Sequence, residues 1–488
     1  MPEQGKKQGQ LIRAFGLQAA IILVVSSIIG SGIYKKVAPM SDKLESADLV
    51  LLAWLLAGIV SMLGVLTTAE IAGMVSGSGG PFAYFNRIYG RTFAFFYGWS
   101  SFTAIQSASI AAIAYVFAHS FNAVVPLPRL DAAAEAFNIF GIFYPLQNLG
   151  VKLAAVGLIV LLVGINYRGV RQGGRVSNII TNTVIASIIL IIILGLTMGV
   201  GSMVNFQTPA ATYPPESFSS GNFGIVTALF AAMLSAFWAY EGWITLGFMA
   251  GEIKDPTRNI PRSLIFGTLI VIAIYLLINF VYLYVLPMDE MIAVAKDTNK
   301  IAAIEVIRRL FGDTGVLLLS VLIVVTTAGC TNTTIMASAR IYYAMAAQGI
   351  FFNKAAHIHP RYHTPGNALI YQAIVACLLV FSGSFDQLTD MLVFVQFIFY
   401  GAVAVGVFIL RKREPDTPRP YKAVGYPVVP ILYILFCAYL VVNTIITNPR
   451  NAIFGLVLVL LGTPFYLYWT SQNKKTSDPS VLDDPEMH

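Results

Sequence analysis

Two short polar interruptions occur within a chain that is otherwise strongly apolar. The first is Ser26–Ile33 (SSIIGSGI), which has two glycines and three serines in eight residues, and the second is Phe237–Trp243 (FWAYEGW). Each glycine weakens a helix by about 1 kcal/mol, so we predict that a helix breaks at both places. A break frees backbone N–H groups and carbonyl oxygens that a continuous helix would use internally.

The freed backbone groups would suit a small zwitterion. The N–H groups of Ser31, Gly32 and Ile33 would lie at the positive end of a half-helix, which favours a carboxylate. Carbonyl oxygens would accept hydrogen bonds from an ammonium group, and those predicted to do so lie near Ser27, Ile28 and Trp238. An α-amino acid presents both groups. The alternative is that Gly-Ser-Gly provides only a close-packing helix face, because small residues let helices approach each other.

Glu241 places a carboxyl group inside an apolar segment. An ionisable side chain within a membrane span indicates a functional role. Three roles are open for it. It pairs with a cationic substrate side chain, it carries a coupling proton because removal from water favours the neutral carboxyl, or it accepts hydrogen bonds from the unwound backbone.

The composition requires lipid as the solvent. The 488 residues are 57% hydrophobic and 11% charged, with a mean hydropathy of +0.73, whereas soluble domains carry about 25% charged residues. Apolar stretches recur from Phe15 to Trp469 and leave no room for a sizeable soluble domain. We predict one membrane domain, 15–470, between cytoplasmic tails at 1–14 and 471–488. The net charge of +7 does not indicate nucleic acid binding, because the basic residues are spread over loops.

We predict twelve membrane-crossing helices, each of which takes about 20 mostly apolar residues, and the ninth stretch is shorter than this. They are Phe15–Val37, Leu49–Ala72, Phe93–His119, Leu149–Tyr167, Val176–Val200, Gly224–Gly251, Ser263–Leu286, Gly315–Met345, Ala368–Ser382, Leu388–Leu410, Val428–Thr447 and Ile453–Trp469.

The distribution of basic residues predicts the orientation, since cytoplasmic loops are enriched in Lys and Arg. With the N-terminus inside, 21 of the 31 Lys and Arg residues lie on the cytoplasmic side, and Lys35, Lys36 and Lys152 are among those outside. An even number of spans returns the C-terminus to the cytoplasm. The segment 287–313 has mixed charges and an apolar period, so we predict an amphipathic outer helix there.

The two interruptions fall in the first and sixth spans. Interrupted helices at corresponding positions of two halves indicate an inverted-repeat transporter. Spans one to five and six to ten would be the repeats, with the last two appended. Glu70, at the cytoplasmic end of the second span, is predicted to pair with a loop arginine. We find no phosphate-binding loop and no His-Glu-x-x-His motif, so we predict neither an enzyme nor a nucleotide-driven pump.

Several motifs in order resemble the amino acid–polyamine–organocation superfamily, and within it the L-type amino acid transporter group. The segments that carry this resemblance are Ile29–Ile33, Ser78–Tyr84, Asn166–Arg171, Trp238–Trp243, Glu252–Arg262 and Pro415–Pro430. It implies an all-α LeuT-type fold of twelve transmembrane helices that works by alternating access, with an amino acid held between helices one and six and Trp238 closing over it. The predicted substrate-binding residues are Ser27, Ile28, Gly30, Ser31, Gly32, Ile33, Trp238, Ala239 and Glu241.

The resemblance leaves the coupling ion open. Many sodium-independent members have a lysine in helix five where this chain has Val184, and sodium-coupled relatives place hydroxyl ligands where Thr331 and Asn332 lie. Oxygen ligands suit hard cations, although these residues could equally bond the backbone of an ordinary helix. Sodium or a proton is therefore predicted, with no cofactor and no resident metal. The predicted coupling residues are Ser26, Ile29, Glu241, Thr331 and Asn332.

The resemblance implies a secondary transporter or exchanger of L-amino acids in the cell membrane. The alternatives are an antiporter of polyamines or cationic amino acids, which Glu241 motivates, and an amino acid sensor that binds without transport. Heteromeric animal members have a cysteine between helices three and four, and the loop Ser120–Asn148 has none. We therefore expect no disulfide-linked heavy subunit.

Overall fold

The computed structural model describes residues 15–476 except 76–79, 140–143, 170–172, 220–223, 245, 247–252, 298 and 363, and gives only the backbone of 173–182 and 472–476. The predicted N-terminal tail and most of the C-terminal tail lie outside the described residues. So do the start of the Ser78–Tyr84 motif, the end of the Asn166–Arg171 motif, Glu252 and the end of the sixth predicted span.

The regular secondary structure of the described residues is helical. No β-strand occurs among them, and Phe15 and Ile253 make one isolated parallel bridge. The α-helices are α1 (Leu17–Ile28), α2 (Gly32–Lys35), α3 (Val37–Leu44), α4 (Ala47–Met74), α5 (Gly80–Tyr89), α6 (Arg91–Ser100), α7 (Gln106–Val124), α8 (Ala132–Glu135), α9 (Leu149–Tyr167), α10 (Gly173–Thr197), α11 (Val204–Gln207), α12 (Gly224–Tyr240), α13 (Pro256–Val285), α14 (Met288–Lys296), α15 (Ala302–Ala347), α16 (Gly366–Ser382), α17 (Phe385–Arg413), α18 (Val428–Thr447), α19 (Pro449–Leu460) and α20 (Gly462–Thr476).

Eight helical segments of the described chain are long and apolar enough to cross a membrane. They are Ala47–Met74, Arg91–Val124, Leu149–Tyr167, Pro256–Val285, Ala302–Ala347, Phe385–Arg413, Val428–Thr447 and Pro449–Ser471. Four shorter apolar helices lie at Leu17–Ile28, Thr183–Thr197, Gly224–Tyr240 and Gly366–Ser382. These segments overlap the predicted stretches, and the chain is a multi-pass, all-α membrane protein.

Both predicted helix breaks are confirmed. In the first segment α1 ends at Ile28, Ile29 is extended with φ −71° and ψ 103°, and α2 begins at Gly32. In the sixth segment α12 ends at Tyr240, and Gly242 follows with φ +120°. That backbone conformation is open to glycine but strained for other residues, so Gly242 fixes where the second helix stops.

The prediction of one amphipathic helix over 287–313 is wrong in its continuity. The segment forms α14 and the first turns of α15, separated by residues 297–301. At Gly312 the backbone leaves the helical region, with φ 62° and ψ −155°, before α15 continues. A glycine is required there because a positive φ is costly for other residues.

The helices around the two breaks pack against each other. Helix α13 contacts α1 and α4, and α12 contacts α3, α4 and α17. Helices α6 and α7 form one long segment joined by a π-helical turn at Ser101–Ile105. The broken segments are therefore enclosed by unbroken helices, which is the setting in which unpaired backbone is tolerated in a membrane.

Candidate functional site

The two helix breaks contact each other directly. A Cβ atom on Gly32 would lie 2.8 Å from the Cα atom of Ala239 and 3.0 Å from Cδ1 of Trp238. A Cβ atom on Gly242 would overlap the carbonyl oxygen of Ser27. The structure thus brings together the predicted substrate-binding residues of the first and sixth segments, and glycine is what allows the approach.

A tyrosine of α13 ties the two breaks together. The Tyr275 hydroxyl lies 3.1 Å from the carbonyl oxygen of Ile28 and 2.8 Å from that of Ala239, and it is the donor to these oxygens. Tyr275 is fully buried. Sequence reasoning missed this residue because it lies in an uninterrupted apolar helix, and nothing local shows which carbonyls it meets.

Three aromatic rings, from α4, α12 and α13, pack together next to the second break. The ring centroids of Trp54, Tyr240 and Tyr275 are 5.0 to 5.9 Å apart, at angles typical of edge-to-face packing. The Tyr240 hydroxyl also donates to the carbonyl oxygen of Trp54 at 3.2 Å. These contacts hold the last turn of α12 against α4 and α13.

The predicted binding residues differ in exposure along the first segment. Ser31, Gly32 and Ile33 are buried, Gly30 is half-buried and Ser27 is exposed. Ile28, Ile29, Trp238 and Ala239 are also buried, whereas Glu241 is half-buried. Within the described chain the Ser31 hydroxyl and the Trp238 indole nitrogen are buried without a hydrogen-bond partner. Of these residues, Ser27 is therefore the most exposed.

Ser26 and Ser27 use their hydroxyls locally. Ser26 donates to the carbonyl oxygen of Leu23 and Ser27 to that of Val24, each at 2.9 Å. Both oxygens keep lone pairs that can accept, since a hydroxyl has two.

Glu241 faces α17. The Tyr400 hydroxyl lies 2.8 Å from each oxygen of the Glu241 carboxyl group. The Tyr400 ring stacks on Trp243, with centroids 4.9 Å apart and planes at 30°. The carboxyl group therefore has a side-chain donor beside the broken backbone, which was not apparent from the sequence.

The residues predicted for cation coupling on α15 have partners of their own. The Thr331 hydroxyl donates to the carbonyl oxygen of Thr327 at 2.8 Å, as in an ordinary helix. The Asn332 side-chain oxygen accepts a hydrogen bond of 2.7 Å from Asn166 on α9. Among the described residues, no hydrogen bond joins either side chain to a residue of the two breaks.

Val184, at the lysine position of the resemblance, is buried. One turn further on, Ser187 lies 3.2 Å from the Tyr34 hydroxyl and links α10 to α2.

A buried lysine lies next to the first break, on the side that the charge pattern predicts to be outside. The Lys36 ammonium is fully buried and lies 2.7 Å from Oδ1 of Asp386 and 2.6 Å from the Thr389 hydroxyl, with Asp390 at 3.9 Å. It also lies 4.7 Å from the ring centroid of Phe385. We call these five residues the Lys36 cluster.

The Lys36 cluster lies directly over the predicted gate residue. The Phe385 ring meets the Trp238 ring edge to face, with centroids 6.3 Å apart. The cluster thus joins the α2–α3 end of the first segment to the start of α17 above Trp238.

On the opposite side, the prediction for Glu70 is confirmed. The Arg411 guanidinium binds both carboxylate oxygens at 2.9 and 2.6 Å, and Nε of Arg419, in the following loop, lies 3.3 Å away. The Ala423 backbone N–H donates at 2.7 Å. Glu70 therefore anchors the loop before α18 to α4 and α17.

Glu414 lies close to this anchor. A hydrogen bond from the Arg87 guanidinium, at 2.6 Å, lowers the pKa of the Glu414 carboxyl group below its usual range. By contrast, Asp255, Arg258 and Arg262 are exposed and make no ion pair with another described residue.

The described residues contain no group of three or more His, Cys, Asp and Glu side chains that could hold a metal ion. Cys330, Cys377 and Cys437 are present as free thiols.

The sequence matches a known family over nearly its whole length. A profile of the amino acid permease family aligns with residues 15–468. The chain belongs to the amino acid permease family. This places it among membrane transport proteins and not among enzymes, and the two breaks lie inside the matched region.

Individual relatives agree with the family. The serine/threonine exchanger SteT of Bacillus subtilis is 33% identical over 461 residues, which cover 93% of this chain and 96% of the relative. The human large neutral amino acids transporter small subunit 2 is 28% identical, covering 98% of this chain and 85% of the relative. The human b(0,+)-type amino acid transporter 1 is 28% identical over an alignment that covers 95% of this chain and 89% of the relative. The chain is thus similar to amino acid transporters and exchangers along its length.

Proposed function

We propose that this permease exchanges L-amino acids across the cell membrane by alternating access, with twelve transmembrane helices in a LeuT-type inverted repeat. The observation that carries the proposal is the direct contact between two broken helices, at Ile29–Ser31 and Glu241–Gly242. Paired breaks of this kind supply backbone donors and acceptors at the middle of a membrane.

The carboxylate of the substrate would bind at the N-terminus of α2. The N–H groups of Ser31, Gly32 and Ile33 precede or begin the helix and have no helical partner of their own. Their partial positive charge favours an anionic group. The unpartnered Ser31 hydroxyl offers one further donor.

The ammonium group would bind on the carbonyl side of the breaks. Tyr275 already donates to Ile28 and Ala239, but a carbonyl oxygen has two lone pairs and can accept again. Tyr275 therefore holds the carbonyls in place and leaves acceptor capacity for the substrate.

Exchange of neutral amino acids is favoured over transport of cations. The relative with 33% identity is named for serine and threonine exchange. The Glu241 carboxyl group, which motivates a cationic substrate, already accepts a hydrogen bond from the Tyr400 hydroxyl, which lies 2.8 Å from each of its oxygens. We therefore assign Glu241 to the support of the broken backbone and of α17 in this conformation.

We propose that the structure is closed on the outside and faces the cytoplasm. The Lys36 cluster and Trp238 cover the buried residues Ser31 and Gly32, whereas Ser27 is exposed. The exposed Ser27 precedes the first break in the chain, whereas the cluster follows it.

Counterflow tests the function. The purified chain in proteoliposomes is loaded with unlabelled serine, and uptake of radiolabelled serine, threonine, leucine, arginine or putrescine is measured. We expect uptake of neutral L-amino acids that requires internal amino acid and no imposed gradient. Uptake that requires a sodium or proton gradient would replace exchange by symport, uptake of arginine or putrescine alone would favour the cationic alternative, and binding without uptake would indicate a sensor.

The same preparation tests the proposals on partners and topology. The chain is expected to transport without a second subunit. Tags at the two termini should be cleaved only by protease added on the cytoplasmic side. Transport that appears only with a co-purified glycoprotein would contradict the first expectation.

A further inference from the structure

A second polar cavity lies apart from the two breaks, on the side predicted to be outside. Its volume is about 220 Å³, room for roughly seven waters at about 30 Å³ each. It is formed where the ends of α2, α7, α9 and α16 meet the start of α17. The lining residues used below are Lys35, Tyr115, His119, Lys152, Phe385 and Asp386.

Three basic side chains of this cavity are more than nine-tenths buried. Lys35 and Lys152 are each 6% exposed and His119 is 4% exposed. Burying a cationic group is costly unless it is paired, so a buried lysine with only neutral partners is a place where an anion would be stabilised.

Lys152 receives no compensating charge from the described residues. Its ammonium donates to the backbone carbonyl oxygens of Tyr144 at 2.5 Å and Pro145 at 3.5 Å, which are neutral. The lining carboxylate, Asp386, is bound by Lys36 at 2.7 Å. Among the described residues, Lys152 therefore has no carboxylate partner at this cavity.

His119 provides an unused polar atom at the same place. Its Nδ1 is buried without a hydrogen-bond partner among the described residues. Its ring stacks on Tyr115 with centroids 5.9 Å apart, and the Tyr115 hydroxyl is held by the backbone of Val380 and Gly383. The imidazole is thus fixed in position beside the Asn299 side chain, and Nδ1 itself has no partner in the described chain that meets hydrogen-bond geometry.

We propose that this cavity is a binding site for a small monovalent anion of carboxylate or halide type, held by Lys152, His119 and Lys35. The ligand would supply the charge that Lys152 lacks and a partner for Nδ1 of His119. Such an anion is either free in the external medium or the carboxylate of an amino acid outside the closed gate. The site does not depend on the proposed exchange activity, because its charges and its cavity lie outside the two breaks.

The test is thermal unfolding of the purified full chain at constant ionic strength, with the bulky sulfonate HEPES replaced stepwise by chloride or acetate. A ligand of the folded state raises the midpoint of unfolding in a saturable way. We expect such a rise for the parent chain and an apparent Kd at least tenfold weaker for Lys152→Gln. Lys152→Arg should retain the effect, and so should Lys296→Gln, which removes an exposed lysine of α14.

One further variant covers the case in which Lys152→Gln does not fold, and one further comparison identifies the source of the anion. If Lys152→Gln does not fold, His119→Phe replaces it, because the ring can still stack on Tyr115 while Nδ1 is lost. In the Gly32→Val chain, where the site between the breaks is filled, serine and serinamide are compared. A response to serine alone identifies the carboxylate of the solute as the source, and a response restricted to chloride or acetate identifies a free anion.

Either source supports the anion site. The proposal is overturned if the parent shows no saturable response to any of these ligands, or if Lys152→Gln responds as the parent does. Counterflow of serine is measured on the same preparations, so that loss of transport is distinguished from loss of anion binding.

Discussion

Gly32 allows the backbone of the first segment to reach the second break. A side chain there would collide with the backbone of Ala239 at 2.8 Å, and a contact below 3.0 Å with backbone atoms forces the helices apart. The same position presents one of the N–H groups proposed to bind carboxylate.

We predict that Gly32→Val reduces counterflow at least tenfold while the protein still inserts and folds. The measurement is initial uptake in proteoliposomes at matched protein content. Gly157→Val on α9 is the control, because a Cβ atom there meets nothing within 4 Å. Full activity of Gly32→Val would show that the substrate site lies elsewhere.

Tyr275→Phe should destabilise the closed pair of breaks. The change removes the donor to Ile28 and Ala239 and costs about 1–3 kcal/mol if the buried carbonyls lose a partner. We expect a lower midpoint of thermal unfolding in detergent and slower exchange. Tyr284→Phe, on the same helix but without these contacts, should match the parent; equal midpoints for all three chains would remove Tyr275 from the site.

Glu241→Gln separates the structural role of this residue from a proton-carrying role. The amide oxygen can still accept from Tyr400, so folding should be retained. If Glu241 carries a proton, the substitution removes the dependence of transport on a proton gradient, whereas the assignment to backbone support predicts no change in that dependence. Uptake at several external pH values, with and without a gradient, decides between them.

The ion pairs of the buried Lys36 ammonium with Asp386 and Asp390 join the α2–α3 segment to α17. Lys36 is fully buried, so loss of Asp386 leaves only the more distant of the described carboxylates, that of Asp390 at 3.9 Å, to compensate its charge. Exposed pairs such as Arg308 with Glu305 on α15 contribute only about 0.2–1 kcal/mol. The Lys36 cluster is therefore the contact at the scale of helices on which outer closure depends.

We predict that Asp386→Asn shifts the population toward a state that is open to the outside. The probe is a Ser31→Cys substitution in a chain whose three native cysteines are replaced by alanine. With Asp386→Asn added, this thiol should react several-fold faster with an impermeant reagent added outside than it does without that change. Glu305→Gln serves as the control and should leave the rate unchanged. An unchanged rate in Asp386→Asn would mean that the cluster does not close the outer path.

At the scale of the whole molecule, the sequence was sufficient for the elements and for the places where they break. Apolar stretches of membrane length have few alternatives in lipid, which is why α9 and α18 begin and end at the predicted residues. Gly30, Gly32 and Gly242 marked the breaks because their effect on a helix is local. The kink at Gly312 was missed because mixed charges and an apolar period continue across it.

The partners across the bundle could not be predicted in the same way. Tyr275, Tyr400 and Asp386 are ordinary residues of long helices, and their importance depends on which distant backbone or charge they meet. Lys36 was placed on the outer side by the charge pattern, with no partner predicted, and it is buried against α17. Hydrophobic periodicity specifies which face is buried but not the rotation that pairs one helix with another.

The Glu70 anchor has a consequence for how the chain is made. Glu70 is almost completely buried, yet Arg411 follows it by 341 residues, and Arg419 and Ala423 come later still. At a synthesis rate of about 5–20 residues per second, α4 exists for roughly 20 to 70 s before the first of these partners is translated. During that interval the Glu70 carboxyl group lacks these partners and has to remain hydrated at the membrane surface, and the anchor forms only when about the last sixth of the chain is being made.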